Sequence, residues 1–181
     1  MDSTILVVVV ALAVVVVLLG VVLAGKRRSA KLQERFGPEY TRAVDASGDK
    51  RRAESDLAAR EKRVEKMSLR PLEAAERDRF SRSWKAAQAR FVDEPARAVT
   101  DAGGLVKEVM LARGYPMGDF EQRAADISVD HPAVVSNYRA AREIAQKNDG
   151  GGATTEDLRQ AMVHYRALFQ ELLQTTPEKG S

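Results

Sequence analysis

The sequence predicts an all-α protein, and three observations predict it. Residues 5–24 form a charge-free run of ten Val, five Leu, three Ala, one Ile and one Gly. No later stretch alternates polar and apolar residues with the period of two that a half-buried strand requires. Apolar residues recur instead at steps of three and four, most clearly at Leu158, Met162, Tyr165, Phe169 and Leu172. The expected architecture is an N-terminal transmembrane helix, a basic helical arm and a C-terminal bundle of about four or five helices. The 181 residues allow about one ordinary domain besides the apolar run. The mean hydropathy is −0.34 despite that run, so the remainder is distinctly polar.

Twenty residues at about 1.5 Å each span the roughly 30 Å of a bilayer's hydrocarbon core. The competing reading is a cleaved secretory signal ending at Ala24, which would release a secreted helical domain. A signal peptide has a basic n-region and an apolar stretch of about 7–15 residues. Here Asp2 is the only charge before the run, and the run is longer. An uncleaved anchor is therefore expected over residues 1–25. Lys26, Arg27 and Arg28 follow at once, with nothing basic before them. The positive-inside bias then places the N-terminus outside and the rest in the cytoplasm, as a single-pass protein of the inner or plasma membrane. Gly20 and Ala24 make a small-xxx-small pair that would let two spans pack as a homodimer.

Charge is graded along the chain. The net is +5 over residues 26–66, +2 over 67–113 and −3 over 114–181. The basic end lies beside the anchor, where anionic headgroups attract it. Residues 26–68 read as an arm. Leu32 and Phe36 share an edge, Gly37-Pro38 breaks it, and Ser47-Gly48-Asp49 interrupts again. Residues 50–67 are helical in propensity with a thin apolar stripe of Ala53, Leu57, Val64 and Met67, which suits a short coiled coil.

Eight of the ten aromatics lie after Leu69, so the bundle is assigned to residues 69–175, and 176–181 to a disordered tail. Phe80, Trp84, Ala87 and Phe91 define its first helical face. Asp93-Glu94-Pro95 separates it from a second helix carrying Val99, Val106 and Met110 and ending at Gly114. Gly103-Gly104 inside that helix marks either a break or a close helix crossing. Asp119 leads a short helix. Asp130 reads as the N-cap of the next, which carries Val134, Tyr138, Ala141 and Ala145. Gly150-Gly151-Gly152 stops it. Thr154 and Asp157 form a capping-box pattern before the last helix.

Several phrases stand out together: RFGPEY at 35–40, ARFVDEP at 89–95, RGYP at 113–116, DFEQRAAD at 119–126, SVDHP at 128–132 and LRQAMVHYRALFQELL at 158–173. As a set the chain resembles a bacterial family, common in actinobacteria, of small proteins with one N-terminal span and a helical C-terminal region. The resemblance implies a bacterial membrane protein. It brings no activity, so no functional residue carries over.

The composition excludes several chemistries. With no Cys there is no disulfide scaffold, thiol chemistry or Cys-ligated metal. His131 and His164 lie 33 positions apart, which does not suit a zinc site. The triple glycine lacks the Gly-Lys-Ser/Thr sequel of a phosphate loop. Acids are interspersed with the bases of the arm, which argues against nucleic acid as a partner. No catalytic residue, metal ligand or cofactor site is assigned. The expected role is a non-enzymatic interaction module with a protein partner, and the loop-rich middle supplies the candidate surface: Tyr115, Phe120, Arg123, Asp126, Asp130 and His131. The alternative is an enzyme or small-ligand site using Arg123, Asp126, Asp130 and His131, where a carboxylate beside an imidazole would form an acid–base pair.

Overall fold

The computed structural model describes residues 3–174, with side chains described from Val8 onward except at positions 9, 10 and 14. The tail expected to be disordered at 176–181 lies outside the described residues. So do several side chains of the expected span, at positions 5–7, 9, 10 and 14. Among the described residues there are eight α-helices and no strand, and no helix is long and apolar enough to cross a membrane.

The first helix, α1 (Ser3–Phe36), runs unbroken for 34 residues, about 51 Å at 1.5 Å each. It ends where Gly37 takes φ +46°, and Pro38 opens α2 (Pro38–Ser47) with no amide to leave unsatisfied. Gly48 closes α2 at φ +66°. Asp49 then caps α3 (Lys50–Val64), its carboxylate accepting from the amides of Arg51 and Arg52. After a nine-residue connection come α4 (Ala74–Arg90) and α5 (Pro95–Ala112). The short α6 (Phe120–Asp130) is capped by Asp119, which accepts from the Gln122 amide at 2.8 Å. The final pair is α7 (Val135–Asp149) and α8 (Thr155–Gln174). The Thr154–Asp157 capping box forms as expected, with reciprocal bonds of 2.8 and 3.1 Å.

One element starts later than the sequence suggests. Asp130 ends α6 instead of capping α7. The residue before a proline avoids the α region. His131 accordingly leaves the helix at φ −131°, ψ 52°, and α7 begins only at Val135.

Burial falls into two cores. The larger joins α4, α5, α7 and α8 with Tyr115 and with Ala124 and Ile127 of α6. Every residue of the 158–172 stripe belongs to it. The Gly103 question resolves as a crossing: α5 stays helical, and a Cβ at Gly103 would lie 3.0 Å from the Tyr165 hydroxyl of α8. The second core gathers Leu32, Phe36, Tyr40, Ala43, Ala53, Leu57 and Val64, and takes Val129 from α6. The thin stripe of the expected arm is thus the inner face of a helical cluster seated on α6, not a free coiled coil. Single buried leucines contribute about 1.5–3 kcal/mol each. Even a narrow stripe therefore holds such a cluster once a partner helix covers it.

Candidate functional site

Two features present themselves outward. The first is the α4/α8 seam. Both helices pack on α5, and between them lies an open groove of about 580 Å³. Beneath it Trp84, 6% exposed, stacks on the buried Phe169, with ring centroids 4.6 Å apart and planes 23° from parallel. Arg77, Lys85 and Arg166 stand around it, with Ser81, Gln88, Gln170 and Gln174 between them and no carboxylate among the lining residues. Arg77 donates to the Leu72 carbonyl, while Lys85 and Arg166 have no ion-pair partner among the described residues. The groove continues toward Phe91, Met162 and Val163. Beside that end Val92 is 84% exposed, the most exposed large apolar side chain described. An exposed apolar end and a positive rim are the features of a surface that binds an acidic segment with an apolar anchor.

The second is the free length of α1. From Val15 to Leu23 its Val and Leu side chains are 48–65% exposed on every side of the helix. A helix that is apolar all round belongs inside a large core or a membrane.

The residues singled out from the sequence are dispersed by the fold. Tyr115, Asp126 and His131 are 2% exposed or less and cannot belong to a docking surface. The prolines and glycine around them suggest exposed loops, but the segment folds inward against α8 and α3. The six side chains also fall into separate contacts: Arg123 and Phe120 against Tyr138, Tyr115 with Asp130, Asp126 with Arg63 and Gln122, and His131 with Glu171. Asp126 accepts from Arg63 and Gln122, at 2.7 and 2.8 Å. Arg123 donates to the Tyr138 hydroxyl at 3.2 Å. Phe120 is half-buried against the Tyr138 ring. Asp130 accepts from the Tyr115 hydroxyl at 3.3 Å and lies 3.8 Å from Arg35. His131 Nδ1 meets Glu171 at 3.1 Å. Arg123, Asp126, Asp130 and His131 therefore do not converge as an acid–base site.

This interior is polar in an unusual way. Arg113 is 1% exposed, and one guanidinium nitrogen donates to the Leu172 carbonyl at 3.0 Å. Burial lowers the Arg113 pKa and raises that of Tyr115. Burial likewise holds His131 below its ordinary 6.5, against the pull of the Glu171 hydrogen bond. The folded chain thus favours neutral His131. As pH falls below about 6.5 the unfolded chain takes up a proton there that the folded chain resists, so stability declines. Thermal unfolding from about pH 7 to 5 should show a steeper loss for the native chain than for His131→Gln.

Sequence reasoning missed the most concentrated charge site. Glu39 of α2 has a side chain 1% exposed. It accepts from Arg60 of α3 at 2.9 Å and from both terminal nitrogens of Arg139 of α7 at 2.9 and 3.1 Å. It also missed the groove, although a signal was present. Arg77, Ser81, Trp84, Lys85 and Gln88 recur at steps of four, three, one and three, a stripe without an acid.

No protein family, curated protein or solved structure matches the chain. What it can do therefore follows from its own residues.

Proposed function

We propose that the chain is a membrane-anchored cytoplasmic module that docks another protein and carries out no catalysis. The observation that carries the docking role is the α4/α8 groove. Its exposed apolar end at Val92 and Val163 and its Arg77, Lys85 and Arg166 rim suit an acidic helical segment bearing an aromatic or aliphatic anchor. The anchor is the charge-free run 5–24. Its support is the 20-residue length, the following Lys26, Arg27 and Arg28, and the apolar side chains of α1 that stand exposed among the described residues.

The test uses photo-crosslinking residues placed at Ser81 and Gln88 of the full chain in intact cells. The expected result is one dominant adduct whose crosslinked segment is acidic, and which disappears in a Lys85→Glu/Arg166→Glu variant. Adducts that persist after both reversals, or map to basic segments, would refute the groove as the docking site. The anchor is checked separately. The chain should stay with membranes through alkaline carbonate extraction, and external protease should spare residues beyond 26.

A further inference from the structure

We propose that the first turn of α3 and the turn of α1 just past the charge-free run form a binding site for an anionic phospholipid headgroup. The inference rests on the reading of residues 5–24 as a membrane span, and adds a second point of contact with the bilayer.

The argument begins with register. Ser29 of α1 donates to Glu54 of α3 at 2.6 Å, and Arg35 of α1 pairs with Glu61 of α3 at 3.2 Å. Six residues along α1 therefore match seven along α3, so the two helices run side by side in the same direction. Four residues back from Glu54 is Lys50, the first residue of α3, about 6 Å nearer the N-terminal end of α1. By the same count Lys50 stands level with Gly25, one residue past the end of the charge-free run. The polar start of α3 is thereby delivered to the depth at which a spanning α1 would leave the hydrocarbon.

At that level lies a cavity of about 460 Å³ between the two helices, lined by Gly25, Lys26 and Ser29 on one side and Lys50, Arg51 and Glu54 on the other. Lys26 and Arg51 have no ion-pair partner among the described residues, and Lys50 reaches Glu54 only at 3.7 Å. The one carboxylate in the cavity is already engaged, because Ser29 and Tyr40 both direct their hydroxyls at Glu54 Oε1, at 2.6 and 2.7 Å. Asp49 nearby is likewise satisfied by the Arg51 and Arg52 amides. Three cations thus face a space fit for a phosphate, whose oxygens form charge-assisted bonds with ammonium and guanidinium groups. A free phosphate shares that chemistry. The lipid is favoured because Val21, Val22 and Leu23, 48–65% exposed, continue from the mouth of the cavity along α1, where an acyl chain would lie.

The experiment reconstitutes the full chain in discs of phosphatidylcholine containing a minor share of phosphatidylglycerol, and counts retained anionic lipids by native mass spectrometry. Lys50→Gln/Arg51→Gln should weaken retention about thirtyfold, and Lys26→Gln should weaken it in the same direction from the opposite helix. Arg82→Gln/Lys107→Gln, which removes equal charge outside the cavity, should leave it unchanged. Trp84 fluorescence checks that each variant unfolds at the native midpoint. Equal retention by all variants would overturn the headgroup site while leaving the anchor intact. Failure of the chain to enter discs at all would overturn the anchor, and the site with it. Displacement of the lipid by inorganic phosphate at equal concentration would assign the cavity to free phosphate and overturn the lipid.

Discussion

Replacing Gly114 with Ala is expected to lower stability by about 3 kcal/mol, combining left-handed backbone strain with a steric clash. Gly114 follows α5 at φ +96°. Its amide donates to Leu111 and the next amide, of Tyr115, donates to Met110. This pairing is the Schellman end of a helix, where glycine is favoured because a Cβ opposes the left-handed turn. Here space is closed as well. A Cβ at Gly114 would lie 2.6 Å from the Ser68 carbonyl oxygen, a backbone atom. Ser68 has little freedom to retreat, since two residues on the Arg70 amide donates to the Arg113 carbonyl at 3.0 Å. The segment that must give way is the one joining the two cores, bordered by Met67 and Leu69. Thermal unfolding should show a fall of about 10 °C. Gly104→Ala, inside α5, is the control. No atom would lie within 4 Å of its Cβ, so it should be neutral or stabilise by up to about 1 kcal/mol. Equal behaviour of the two variants would show that the Gly114 geometry is wrong.

Glu39→Ala is expected to cost about 3–5 kcal/mol, the range for removing one partner of a buried ion pair. Arg60 and Arg139 are only 12% and 11% exposed, and both lean on this one carboxylate. Arg60 retains Asp56 at 2.6 Å. Arg139 has no other ion-pair partner among the described residues and would be left buried with its charge. Urea unfolding followed by Trp84 emission measures the loss, and hydrogen exchange in α2 should rise first, because the lost bonds tie this helix to both α3 and α7. A Glu39→Leu/Arg139→Leu double variant should recover most of the stability, since apolar residues often replace a buried pair at little cost. A loss under about 1 kcal/mol in the single variant would mean that water reaches the pair.

The contrast between these sites shows what the sequence discloses. Elements whose signals are local were legible. The 158–172 stripe predicts a buried face because one helix carries all of it. Thr154 and Asp157 predict a cap because the bonds close over three residues. Gly103 poses a choice that the opposing helix decides. Glu39 gives no such signal: its partners lie 21 and 100 residues away, and in sequence it is one acid among many in a polar arm. The same holds for Asp126 and Arg63, which are 63 residues apart. Tyr115 and His131 misled for the converse reason. Proline and glycine neighbours predict turns correctly, but say nothing of which way a turn faces. The arm misled through its composition, because a cluster that shares its burial with α6 needs few apolar residues of its own.

The unbroken course of α1 has a mechanical meaning. Leu32 and Phe36 bind its last turns into the second core, and no proline interrupts the 34 residues before Gly37. With the proposed anchor embedded, that helix is a mast stepped directly into the hull. A membrane segment tilts to match bilayer thickness. With no joint to absorb the lean, the whole helical body and its α4/α8 groove would swing with it, so lipid composition would steer where the groove points.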